Sequence, residues 1–296
     1  MKKLKTILYF LLIPSFLLSG CVEENLDICL PAITAELTFS YRGDTNDPSL
    51  FASQIDRVTL FVFNNSGQQV ATQQIEKSSL NAFQGTQLAL PAGDYRIICW
   101  GNSFDHTELT DCQGYLSGRL HHPHFTQNGM NIPTNDHLYH GCYSISVPED
   151  GLATGDIPFR SAHIDMKVYI RGLFSSRAQG PSLEVRNLMP QYNMEMSEQQ
   201  TYETCYYPES SYNLTHNAFE SLFQVLRFKD NNPVELDIKD ADGNIRVTIN
   251  LDDYMAQNNL TVEGKEEAMV PILIEFNDLG VSVTVPDWIS HVVKPE

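Results

Sequence analysis

The chain alternates apolar and polar positions with the period of a β-strand through most of its length. Residues 55–63, Ile-Asp-Arg-Val-Thr-Leu-Phe-Val-Phe, place Val58, Leu60 and Val62 on one face and Thr59, Phe61 and Phe63 on the other, the two-residue period of a pleated strand. Asn64-Asn65-Ser66-Gly67 is a turn signal, and residues 68–75 read as the returning strand. Residues 88–95 run through Pro91-Ala92-Gly93 into a second apolar strand at 96–100, ending in Trp100. Residues 101–140 are polar and irregular, which predicts an elaborated loop region with short elements of its own.

A second series of strands is predicted at 164–170, 182–188, 192–196 and 223–228. Residues 234–238 and 245–251 flank the turn Asp240-Ala241-Asp242-Gly243-Asn244 as a hairpin, with a short helix over 251–257. Residues 270–276 and 281–285 flank Asn277-Asp278-Leu279-Gly280 as a closing hairpin. Helical periodicity is weak throughout. Many short strands separated by turn signals predict an all-β fold of tandem β-sandwich domains, with the seam in the turn formers Pro148 to Asp156.

The first twenty residues break this pattern. Lys2, Lys3 and Lys5 precede an apolar run from Ile7 to Leu18, interrupted only by Pro14 and Ser15. A basic start, a short apolar core and small residues at its end predict a secretory signal peptide, and the run is too short for a comfortable membrane span. Leu18-Ser19-Gly20-Cys21 resembles the lipobox of bacterial lipoproteins. Cleavage is expected between Gly20 and Cys21, with the Cys21 thiol as the nucleophile that takes the lipid; several acyl chains on one residue hold a protein to a bilayer far better than one. Glu23, Glu24 and Asp27 then form an acidic tether. The expected organisation is a signal peptide over 1–20, a lipidated tether over 21–32, and sandwich domains over 33–155 and 156–296.

The chain has 296 residues with 19 Lys and Arg against 37 Asp and Glu, a formal charge of −18. Loss of three lysines with the signal peptide sharpens this to −21, which disfavours nucleic acid as a partner. Thirty aromatics exclude extended disorder. With Cys21 assigned to lipid, Cys29, Cys99, Cys112, Cys142 and Cys205 remain, an odd number with no CxxC pair. Cys112 and Cys142 bracket part of the polar region, and a disulfide between them is expected to staple it.

Candidate chemistry is sparse. His121, His122 and His124, with His137 and His140, form the one His-rich region. A metal site needs imidazoles converging on a point, whereas an extended HHPH run spreads them, so an exposed polar loop is expected. Asp240-Ala-Asp-Gly-Asn244 begins like a calcium loop but lacks the closing Glu. No GxSxG, HExxH or GxxxxGK[ST] occurs. No catalytic residue, cofactor or metal is expected.

The features in order resemble the FimB-like fimbrial anchor lipoproteins of the Bacteroides group, the base subunits of type V pili. The resemblance is carried by Cys21, the acidic tether with Cys29 and Pro31, and the 55–67 hairpin. It continues through Pro91-Ala-Gly-Asp-Tyr-Arg-Ile-Ile-Cys-Trp-Gly101, Leu138-Tyr-His-Gly141, the passage over 160–170, residues 242–254 and Val285-Pro-Asp-Trp288. It covers essentially the whole chain after the signal peptide. It implies two transthyretin-like β-sandwiches, a binding role without catalysis, and pilin subunits as partners joined by strand addition. It also implies a fibre base held in the outer membrane by lipid on Cys21, facing the exterior and limiting fibre length. A surface glycan-binding lipoprotein, or an accessory or tip fimbrial subunit, is the alternative reading.

Overall fold

A computed structural model of the chain describes residues 32–126, 131–173, 180–197 and 203–289. The N-terminal lobe contains β1 (Ala35–Ser40), α1 (Leu50–Gln54), β2 (Arg57–Asn64), β3 (Gln69–Glu76), α2 (Lys77–Ala82), β4 (Gly85–Leu88) and β5 (Gly93–Gly101). After β5 come the short β6 (Glu108–Thr110) and β7 (Arg119–His121), then β8 (Tyr139–Val147) and β9 (Ala153–Ser161). The C-terminal lobe contains β10 (His163–Arg171), β11 (Ser182–Leu188), β12 (Gln191–Asn193), β13 (Thr204–Tyr206), β14 (Ser211–Asn213) and β15 (Ala218–Leu226). It closes with β16 (Glu235–Lys239), β17 (Ile245–Asn250), α3 (Leu251–Asn258), β18 (Met269–Asn277) and β19 (Gly280–Thr284).

The N-terminal strands form one sheet in the order β3-β2-β5-β8-β9-β1-β4. β9 lets this sheet fold over itself. Its residues 153–158 run parallel to β1, while 159–161 pair antiparallel with β8. The enclosed core takes Leu37 and Phe39 from β1, Val58, Leu60 and Val62 from β2, Ile97 and Cys99 from β5, and Ile157 and Phe159 from β9. β1 lies inside the sheet, paired to the edge strand β4 on one side and to β9 on the other.

In the C-terminal lobe a five-stranded sheet, β14-β15-β10-β18-β19, packs on a four-stranded one, β13-β11-β16-β17. Met166, Val168, Val270 and Ile272 from the first meet Val185, Leu236, Ile238 and Ile249 from the second, the interdigitating inner faces of a β-sandwich. α3 starts where the Asn250 side chain accepts the Asp253 N–H at 2.9 Å, with Asp252 and Asp253 in the first turn, a capped helix end with charges that suit its dipole. The Tyr254 hydroxyl ties α3 to β18 by donating to the Pro271 carbonyl at 2.6 Å. The sequence places this helix and both late hairpins correctly.

Two expectations are corrected here. The seam expected at 148–156 falls partly inside β9, which completes the N-terminal sheet, so pairing within that lobe ends near Ala162. Gly155, Asp156 and Pro158 disfavour strand locally, and the ladder to β1 overrides them. The strand expected at 223–228 is the end of a longer one, β15, which starts at Ala218. From Ile33 onward the chain packs as one compact unit.

Candidate functional site

The two lobes meet on the second face of β2 and β5. Val58, Leu60 and Val62 point into the N-terminal core, so strand alternation sends Phe61 and Phe63 the other way, as Ile98 and Trp100 go from β5. Cys112 and Leu120 from the segment between β5 and β8 cover them, with Met189, Tyr192 and Met194 from the C-terminal lobe. Trp100 is fully buried. Its ring stacks on Tyr192 at 5.9 Å and 20°, and lies 4.7 Å from His140.

Several polar groups in this interface are satisfied across it, as burial demands, although the buried Trp100 Nε1 has no hydrogen-bond partner among the described residues. The Tyr192 hydroxyl donates to the Ala162 carbonyl at 3.0 Å and accepts the Arg227 N–H at 2.7 Å. His140 Nε2 lies 2.9 Å from the Met194 carbonyl, which can only accept, so Nε2 carries the proton. Burial pushes the His140 pKa down to about 4, keeping the ring neutral. Arg96 of β5 pairs with Glu195 at 2.5 Å, and the Tyr115 hydroxyl donates to the same carboxylate. Further along, the Asn135 N–H donates to the Gln224 carbonyl at 2.9 Å. β7 pairs with β6 on one side and with β12 on the other, so a three-stranded sheet crosses the seam.

The structure places the sequence-predicted residues as follows. Gly20 and Cys21, the expected cleavage and lipidation site, lie outside the described residues. Cys112 and Cys142 are free thiols, so the expected staple is not formed. Both border the same apolar cluster. Cys112 Sγ turns back to the Thr110 carbonyl at 3.4 Å, and burial raises its pKa to about 11. Cys142 faces Ile98 across the ladder, and burial raises its pKa too. The polar region needs no staple there because the β6-β7-β12 sheet holds it.

The His-rich run is also corrected: His121, His122 and His140 are buried, not exposed. His122 packs between His106 and His124, and burial, with those neighbouring imidazoles, pushes its pKa down to about 4. Asp240 closes its hairpin by accepting the N–H groups of Asp242 and Asn244 at 3.0 and 2.9 Å, the Asx-turn role of a short carboxylate. Sequence reasoning missed the inter-lobe contact residues Tyr192, Met194 and Glu195. The available signal was that β2 and β5 are apolar on both faces, which a strand with one solvated face is not.

Sheet edges are the other feature open to a partner strand. β13 is met by Ile132, which bridges Tyr206 and accepts the Tyr207 N–H at 2.7 Å. The start of β3 is met by Gly114, which bridges Gln68. Among the described residues, β4, β14, β17 and β19 end the three larger sheets with no strand beyond them. β19 is Gly-Val-Ser-Val-Thr, uncharged, with Val281 42% exposed and Leu279 of the preceding turn fully exposed. An uncharged open edge presents unpaired N–H and C=O groups to an incoming strand.

Known structures share this architecture. A candidate polysaccharide-binding protein from Bacteroides thetaiotaomicron matches with a TM-score of 0.69 at 16% identity, over 85% of this chain and 96% of its own. A candidate adhesin from Bacteroides ovatus matches with a TM-score of 0.70 at 13% identity, over 86% and 93%. The fimbrial anchor protein Mfa2 from Porphyromonas gingivalis matches with a TM-score of 0.57 at 16% identity, over 84% and 94%. No curated protein sequence matches the chain. The family model for fimbrillin-A associated anchor proteins Mfa1 and Mfa2 matches residues 30–294, nearly all of the chain beyond its first thirty residues. The chain therefore belongs to the fimbrillin-A associated anchor protein family.

Proposed function

We propose that this protein anchors a fimbria at the cell surface as an outer-membrane lipoprotein. Acyl chains on Cys21 hold it to the bilayer, and pilin subunits join it by strand addition. The observation that carries the reading is the anchor-family match over residues 30–294. The lipobox-like Leu18-Ser19-Gly20-Cys21 supports the membrane attachment, and the uncharged open edge of β19 supports strand addition. Main-chain hydrogen bonds supply affinity in that mode, and alternate side-chain pockets supply specificity. The role is one of binding and placement, without catalysis.

Deletion of the gene tests it. Fimbriae shed into the medium or grown to abnormal length are expected, and normal cell-attached fimbriae would overturn the anchor role. Cys21→Ala is expected to release the protein from the membrane fraction, and unchanged retention would refute the lipid attachment. Glycan binding, the alternative from sequence, finds little support in the tryptophans. Trp100 is buried, and Trp288, although exposed, has its ring engaged by His216 at 4.7 Å and by the Arg171 guanidinium.

A further inference from the structure

His137, His163 and Asp165 bring three donor atoms within 4.8 Å of one another. They come from both lobes. His137 lies just before β8, while His163 and Asp165 are alternate residues of β10 and so share one face of that strand. His137 Nδ1 is 3.8 Å from Asp165 Oδ1, and His163 Nε2 is 3.9 Å from the same oxygen. Both separations exceed hydrogen-bond reach. The two imidazole rings stand 5.0 Å apart and nearly perpendicular.

The donors are oriented from behind. His163 is buried, and its Nδ1 lies 2.9 Å from the Leu138 carbonyl. A carbonyl only accepts, so Nδ1 carries the proton and Nε2 presents a bare lone pair to the gap. Metal-bound histidines are commonly fixed in this way, with the second ring nitrogen donating to a backbone carbonyl. Asp165 Oδ1 accepts from Gln224 Nε2 at 3.0 Å, and Gln224 Oε1 in turn accepts from the Thr134 hydroxyl at 3.1 Å. His137 is more than half exposed and free to adjust.

We propose that His137, His163 and Asp165 form a binding site for a divalent transition metal of the zinc class, clasping the segment before β8 to β10. Two neutral imidazoles and one carboxylate suit zinc; calcium and magnesium prefer all-oxygen sets. Tetrahedral zinc with bonds of about 2.0–2.1 Å would draw the donor atoms to about 3.3 Å apart. Rotation of the His137 side chain closes its own separations, and the 3.9 Å between His163 Nε2 and Asp165 Oδ1 closes by a small shift of the partly exposed Asp165 carboxylate. The fourth position is left to water. The bound ion acts as a tie between lobes, since its ligands come from both.

The test uses the purified chain stripped with a chelator, dialysed against zinc chloride and assayed by elemental analysis. One retained equivalent and a higher melting temperature with zinc are expected. His137→Ala, which alters an exposed residue, and Asp165→Asn are each expected to lower affinity at least about tenfold with an unchanged circular dichroism spectrum. Gln224→Ala, which removes the amide that links Asp165 to Thr134 without touching a ligand position, is expected to cost about ten- to a hundredfold. Failure of the folded wild type to retain an equivalent overturns the site. So does equal retention by His137→Ala and Asp165→Asn, which would place the ion elsewhere, as on His106, His122 and His124.

Discussion

Tyr192 lies flat against Trp100, one ring from each lobe, with centroids 5.9 Å apart and planes 20° from parallel. The contact couples the lobes because the same tyrosine hydroxyl also bridges the Ala162 carbonyl and the Arg227 N–H. A single cooperative unfolding transition is expected for the whole body. Tyr192→Ala opens a large cavity and should cost about 3–5 kcal/mol, separating the calorimetric endotherm into two. Tyr192→Phe strands two buried polar groups, at about 1–3 kcal/mol, and should keep one transition.

His140 supplies an acid-sensitive term. Its pKa is about 4 in the folded protein against 6.5 when exposed, because burial disfavours the charged ring. Between those values the unfolded chain binds more protons, so stability falls as pH drops from 6.5 toward 4. The linkage corresponds to ~2 kcal/mol lost between pH 7 and pH 5. His140→Gln keeps an N–H for the Met194 carbonyl but does not titrate. Urea midpoints at the two pH values should show a smaller drop for the variant, and an equal drop would discount His140.

Gly172 follows β10 with φ +78°, where an added Cβ would lie 2.0 Å from the Phe276 carbonyl oxygen. Gly172→Ala therefore combines a left-handed backbone penalty with a backbone clash. A loss of at least about 2 kcal/mol is expected. Gly243 has a similar φ of +82° but open space around it, so Gly243→Ala should cost only about 1 kcal/mol. Thermal melts of the two variants separate clash from strain.

Val281 tests the β19 edge. A lysine there places a charge on an exposed position of an open strand, the device natural sheets use against unwanted pairing. Val281→Lys is expected to leave the melting temperature nearly unchanged and to reduce capture of pilin in a pull-down. Undiminished capture would move strand addition to another edge.

The late hairpins were legible because alternation and turn chemistry agree locally. β16 and β17 flank an Asp-initiated turn, and β18 and β19 flank Asn277 to Gly280. β9 was not, because Ala-Thr-Gly-Asp-Ile-Pro reads as turn formers and becomes strand only through its pairing with β1. The buried histidines were hidden for a related reason. Composition places His in polar loops, but a carbonyl such as that of Met194 or Leu138, distant in sequence, decides whether a ring can be buried. His137 and His163 are 26 positions apart, so no local spacing pattern announces their approach. The residues that meet across the seam follow the same rule: Phe61 and Trp100 show that a second face is covered, and only the fold shows that Tyr192 covers it.

The pairing of β1 on both sides has a mechanical consequence. A pull on the chain ahead of Ile33 runs along β1, which is laddered to β4 over four residue pairs and to β9 over six. A load applied along the β1 axis, as the proposed anchoring would impose, shears both ladders together and does not unzip one bond at a time, and forced unfolding is governed by the unfolding barrier.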